Sequence, residues 1–224
     1  MSYALYQYPD KAFVNRSIPK TKFYEKASIT KTVKDAFIRQ IQNIVWAYKL
    51  SPETINLNAT KDLLEIQVFN ISLKTTDLDE KVLLAIDKAI PHPIIFQLSF
   101  EDRIQVKLAY KRINEADSTK WIIDQYFSSS WLTPKEVNAS KISLPIAINL
   151  TNLYEQILKE LLPLKAKTSE NIKEQTERYN LIEQKKKEIE QIEKKIHNEK
   201  QFKRKVEFNS KLKELTKQLN NLLN

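Results

Sequence analysis

Not one of the 224 residues is glycine. Every tight or left-handed turn must therefore be built from residues that carry a Cβ, which throws that duty onto Asn, Asp, Ser and the eight prolines. A glycine-rich phosphate loop, a dinucleotide-binding turn and a glycine-assisted nucleophile elbow cannot be made in their usual form. ATPase, Rossmann dehydrogenase and typical α/β-hydrolase readings start far behind for that reason. Cysteine is absent too, which excludes disulfides, thiolate metal sites and a cysteine nucleophile.

The chain is otherwise that of a folded protein: 42% of its residues are apolar and 29% charged, with nine Phe, nine Tyr and three Trp. No window approaches the run of about 18 apolar residues that a membrane span needs. Met1 to Asp10 lacks the basic region followed by an apolar core of a signal peptide, and the absence of cysteine fits a reducing cytoplasm, where the protein is expected.

Hydrophobic period divides the chain into an α/β domain of the α+β kind over residues 1–164 and a helical tail over residues 165–224. Tyr3 to Ile29 reads as an extended arm with one short strand near Ala4–Tyr8. Val33, Phe37, Ile41, Ile44, Val45 and Tyr48 recur at threes and fours, which predicts a helix from Lys31 to Lys49 stopped by Ser51-Pro52. Leu63 to Leu73 alternates as a strand, and Asp77 to Ile90 is a second helix capped by Asp77 or Thr76 and limited by Pro91. Ile94–Phe100 and Arg103–Lys111 are strands joined as a hairpin at Glu101-Asp102, and Trp121–Phe127 is another. Ser128–Lys141 is a loop anchored by Trp131. Ile142–Ile148 is an edge strand broken by Pro145, and Leu150–Leu162 a third helix facing Leu153, Ile157, Leu158 and Leu161 inward. This order of elements predicts a mixed sheet with helices packed on at least one face.

In the tail, positions 172, 175, 179, 182, 186, 189, 193 and 196 step by threes and fours, and Phe208, Leu212, Leu215, Leu219 and Leu222 form a second seam. Between them His197–Lys205 reads HNEKQFKRK. Two arrangements fit: a helical hairpin folded near that break, or one continuous helix that pairs with a second chain as a coiled coil. The tail also holds much of the charge. Of the formal net charge of +9, residues 165–224 contribute +6 and residues 1–164 only +3. A basic tail favours nucleic acid or an acidic protein partner. Lys194, Lys195, Lys200, Lys203, Arg204 and Lys205 are the candidate phosphate contacts there, and Lys111 and Arg112, at a strand end after Tyr110, are candidates in the first domain.

Chemistry beyond binding is hard to place. The histidines, His92 and His197, lie in different segments, and no metal ligand set or cofactor motif is legible. A metal-dependent nuclease would need carboxylates on adjacent strands with a lysine nearby. The nearest approach is Asp87 or Asp102 with Gln105 and Lys107, and its spacing is poor. Ser128-Ser129-Ser130 has no histidine placed as its base. No catalytic residue is assigned.

Several stretches resemble an uncharacterised bacterial family, the domain of unknown function numbered 4391: Ile18–Tyr24, Gln40–Leu50 followed by Glu53–Leu57, Asp87–Pro93, Ala109–Arg112 with Trp121, Trp131-Leu132 and Lys200–Glu207. Lys203 stands where relatives often have Asn. The resemblance implies an accessory protein encoded beside DNA methyltransferases and helicases of restriction-like, anti-phage islands. A methyltransferase or helicase partner and double-stranded DNA are the expected contacts, with self-association through the tail also open. It implies no catalytic residue and no cofactor. The function expected is thus a non-enzymatic accessory role. The alternatives are a metal-dependent nuclease subunit and a purely protein-binding structural adaptor.

Overall fold

The computed structural model describes residues 6–114, 116–117, 121–133, 135–136 and 142–223. The chain forms two compact units, one up to Pro163 and one from Leu164.

The first unit is built on a six-stranded mixed sheet. Its strands are β2 (Phe13–Ser17), β3 (Ile41–Leu50), β4 (Ile66–Leu73), β5 (Ile94–Phe100), β6 (Arg103–Ile113) and β7 (Trp121–Ser128), lying side by side in chain order. Every pairing is antiparallel except β4 with β5. A parallel pair needs a crossover, and α4 (Glu80–Ala89) supplies it. A small parallel pair, β1 (Tyr6–Gln7) with β8 (Ile142–Ser143), lies apart from the main sheet.

Helices α1 (Thr21–Ala27), α2 (Lys31–Gln40) and α4 cover one face of the sheet. Phe37, Ile41, Ile71, Leu83, Ile86 and Phe96 are wholly buried between them. Against β6 and β7 rests α5 (Leu150–Leu161), whose Leu153, Ile157 and Leu158 are fully buried. Its start is capped by the Asn149 carboxamide oxygen, which accepts from the Asn152 amide at 2.9 Å.

The helix expected over Lys31–Lys49 is two elements. It ends at Gln40, and Ile41–Leu50 is the strand β3. The apolar period misled for a physical reason. β3 carries irregularities in register between Ile41 and Asn43 and between Trp46 and Tyr48, and each extra residue of a bulge turns a step of two into a step of three. Its buried residues are Ile41, Ile44, Ala47 and Leu50, a spacing of three that imitates a helix, and an irregularity falls within the first two of these three steps. The composition of Ile44-Val45-Trp46 already favoured a strand. Ser51-Pro52 does end the element, but it also opens a short helix, α3 (Pro52–Ile55).

The opening segment is likewise more ordered than an extended arm, since it contributes β1, β2 and α1. The part of the expected first strand before Tyr6 lies outside the described residues. Asp79, not Asp77 or Thr76, caps α4 by accepting from the Lys81 amide at 2.9 Å. Ile142–Ile148 is strand only at Ile142–Ser143. In the loop before it, Trp131 packs on the core cluster and Leu132 bridges to Ile104, while residues 134 and 137–141 lie outside the described residues.

The glycine-free composition shows in the turns. Among the described residues the left-handed backbone positions fall on Asn15, Ser28, Asn56, Ser169 and Glu101, with φ between 46° and 67°. Asn tolerates this region well; Glu101, at the β5–β6 turn, bears the steric cost of its Cβ, about 1–2 kcal/mol.

The second unit is a helical hairpin, α6 (Ile172–Asn198) returning as α7 (Phe202–Leu223). Asn171 and Glu174 form a reciprocal capping box at the start of α6, at 2.9 and 3.0 Å. Ile182, Ile192 and Leu215 are buried in the seam, with Tyr179, Ile189, Ile196, Phe208, Leu212, Leu219 and Leu222 half-buried along it. The polar intrusions at Lys186 and Glu193 are not on the seam at all: both are exposed, and Lys185 and Ile192 take the inward places. Glu199 solves the missing-glycine problem at the turn. Its carboxylate accepts from the amides of Lys200 and Gln201, both at 2.9 Å, and so satisfies donors at the start of α7.

Arg178 ties the open end of the hairpin together. Its guanidinium donates to both Glu170 carboxylate oxygens at 2.6 and 2.7 Å, to the Lys165 carbonyl at 2.8 Å and to the Leu222 carbonyl at 3.2 Å. These bonds hold the Glu170 carboxyl down at about 2. A depressed carboxyl stabilises the folded state above its ordinary range, and that contribution disappears as pH falls toward 2. The protection factors of amides in α6 and α7, corrected for the intrinsic exchange rate at each pH, should therefore fall on going from pH 5 to pH 2.5. A Glu170→Gln variant should be less protected than wild type at pH 5 and should lose less on acidification. Equal protection at pH 5 would show that the Glu170–Arg178 pair does not hold the hairpin closed.

Candidate nucleic-acid interface

The hairpin turn gathers the basic residues that the sequence spreads over a dozen positions. Lys194 and Lys195 stand in the last turns of α6, Lys200 in the connection, and Lys203, Arg204 and Lys205 in the first turn of α7. Residues 194–205 hold these six cations and one carboxylate, Glu199. Lys194, Lys195, Lys200, Lys203 and Arg204 are exposed, and Lys205 is half-buried beside the seam. Existing partners are weak. Lys194 reaches Glu190 at 2.6 Å with both side chains more than 60% exposed, and Arg204 stands 3.8 Å from Glu199.

The two helix ends at the tip differ electrostatically. The carbonyl end of α6 carries partial negative charge, so Lys195 and His197 are well placed there. The amide end of α7 carries partial positive charge, its first turn has no acidic residue, and three cations crowd it. The Glu199 carboxylate is the one anion at this end and offsets the cations only in part. A shallow groove lined by Lys194, Lys195, Glu199 and Phe208 runs between the helices at this end. Phe202 is 82% exposed and Val206 52%, both on α7 beside the cations. In the sequence Phe202 stands out only as the large apolar residue of a polar stretch, with no role attached to it.

The remaining candidates part company. Lys111 is corrected: it is not a surface cation. An irregularity in β6 between Ala109 and Lys111 turns its side chain toward α4, where its ammonium is 2% exposed. There Nζ donates to the carbonyls of Asp87, Ile90 and His92 at 2.7, 2.6 and 3.1 Å and lies 3.5 Å from the Asp87 carboxylate. It is a cap for the carbonyl end of α4. Asp87 also accepts from the Tyr126 hydroxyl at its other oxygen. Burial pushes the Asp87 carboxyl up to about 6 against the pull of Lys111, and burial lowers Lys111. Arg112 stays half-exposed, 3.3 Å from Asp124, and remains accessible.

The nuclease constellation does not assemble. Asp102 is exposed in the β5–β6 turn, the Gln105 amide donates to the Ser129 carbonyl at 3.0 Å, and Lys107 pairs with Glu80 at 2.7 Å. Among the described residues no group of three His, Asp or Glu could hold a metal ion. His92 lies 3.5 Å from Glu65, and burial lowers its imidazole. Among the described residues no helix is long and apolar enough to cross a membrane.

No curated protein and no solved structure matches the chain. A family model described as a domain of unknown function, DUF4391, matches residues 7–219, and with nearly its whole length covered the chain belongs to that family.

Proposed function

We propose that the protein is a non-enzymatic accessory subunit that binds the phosphate backbone of double-stranded DNA through the tip of its C-terminal hairpin. The observation that carries the reading is the gathering of six cations against one carboxylate at a turn whose second helix presents its positive end. Lysine and arginine at the turn of a helical hairpin contact phosphates without reading bases, which suits a protein that positions another component. The resemblance noted in the sequence makes a DNA methyltransferase or helicase of a defence complex the component of choice, and the cytoplasm its place.

The exposed Phe202 and Val206 favour a second reading, in which the tip is an adaptor that enters an acidic protein surface with an apolar socket. Lysine-selective modification read by mass spectrometry separates the two. With a duplex of arbitrary sequence added, Lys194, Lys195, Lys200 and Lys203 should become protected while lysines of the first unit such as Lys26 keep their reactivity. Unchanged reactivity at the tip would favour the adaptor.

A further inference from the structure

The sheet face opposite α1, α2 and α4 is not apolar throughout. Two parallel strands carry the same alternation, Phe69-Asn70-Ile71-Ser72-Leu73 in β4 and Phe96-Gln97-Leu98-Ser99-Phe100 in β5, and they pair in register, Asn70 with Gln97 and Ser72 with Ser99. The apolar members face the helices, so the polar members form a ladder on the other side. They line a cleft of about 460 Å³ together with Val45 and Ile104.

Gln97 is the unusual member. It is 2% exposed in the middle of a sheet, its amide nitrogen donates to the Asn70 oxygen at 2.6 Å, and its own oxygen is buried with no hydrogen-bond partner. Exchanging O and N in both amides keeps the Gln97–Asn70 bond and leaves a donor unsatisfied in place of the acceptor. An unpaired buried amide group costs about 1–3 kcal/mol, and valine or isoleucine would suit the strand better. A ligand that completes the pairing offsets that cost.

We propose that this cleft binds a neutral nucleoside, its base edge paired with the Gln97–Asn70 amides. A carboxamide presents a donor and an acceptor side by side, the complement of an amine beside a ring nitrogen, and Asn or Gln recognises adenine in this way. The Ser72 and Ser99 hydroxyls, 3.4 Å apart, supply further adaptable partners. Val45 and Ile104 give the apolar surface that a flat ring covers. Phosphate is disfavoured, because no lysine or arginine is among the described residues lining the cleft and the carboxylate of Glu101 stands at it. That carboxylate is a natural acceptor for ribose hydroxyls. The volume is in the range of small-ligand sites. The proposal stands on the first unit alone and does not depend on the hairpin.

The test uses the full chain labelled with ¹⁵N, titrated with adenosine, cytidine, guanosine and uridine while the side-chain amide signals of Gln97 and Asn70 are followed. One of these probes should shift both signals saturably with a Kd below about 1 mM. Gln97→Met, which removes the unpaired group at similar volume, should melt no lower than wild type and bind at least about tenfold more weakly. Ser99→Ala, a smaller change, should weaken binding if the first variant folds poorly. Adenosine monophosphate should bind no better than adenosine. Absence of a saturable shift at about 5 mM with all four probes would overturn the proposal and leave a hydrated polar face. Binding unaltered in both variants, or preference for the monophosphate, would overturn it equally.

Discussion

Lys111→Met is expected to destabilise the first unit by about 3–5 kcal/mol at pH 8, the cost of stranding a buried charge and its hydrogen-bond partners. The ammonium satisfies three backbone carbonyls at and beyond the end of α4 and faces a carboxylate that water does not reach. Methionine fills the space but donates nothing. Asp87 would then be held neutral over a wider pH range than in wild type, where burial has already raised it to about 6. A raised carboxyl contributes stability that is present below its ordinary value and lost as pH rises through the folded one. The gap between variant and wild type should therefore be smaller at pH 5 than at pH 8. Urea unfolding followed by tryptophan fluorescence measures both, and Trp121 lies 5.7 Å from the ammonium. A loss under about 1 kcal/mol at pH 8 would show that Lys111 does not cap α4.

Lys111 also marks where sequence reading stops. Within Tyr110-Lys111-Arg112 nothing separates the buried cation from the accessible one. The irregularity that turns Lys111 inward is a matter of pairing with β7, and pairing is non-local. The same is true of β3, whose bulges contribute to the spacing of three among its buried residues. Elements with an undisturbed period were legible almost to the residue: β5 and α5. The two seams of the tail were legible, but α7 begins at Phe202, inside the stretch that reads as the break. The hairpin followed from two seams and a polar break, although a two-chain coiled coil had the same signature, and what decides between them is the Arg178 bond to the Leu222 carbonyl. The polar ladder could have been found. Its two alternating segments are plain in the sequence, but their register becomes meaningful only when β4 and β5 lie side by side.

Reversing Lys203, Arg204 and Lys205 to glutamate together should reduce DNA affinity by orders of magnitude at low salt. Each phosphate that a cation no longer neutralises takes roughly one unit from the slope of log affinity against log salt, so the slope should fall by up to about three. The hairpin should survive the change. Lys203 and Arg204 are exposed, Lys205 lies beside the seam, and glutamate has a helix propensity similar to lysine. Acidic residues in the first turn of α7 also suit its positive end better than the native cations do. Retained helicity with abolished binding would assign the effect to charge.

The most direct test of a phosphate-binding tip is the salt dependence of binding itself, measured by fluorescence anisotropy on two unrelated duplexes from about 50 to 300 mM salt, for the wild type and the triple variant. A tip that binds phosphates gives a steep linear slope for the wild type, the same on both duplexes, and a slope shallower by up to about three units for the variant. Absence of wild-type binding at about 50 mM salt, or an identical slope in the variant, would contradict it.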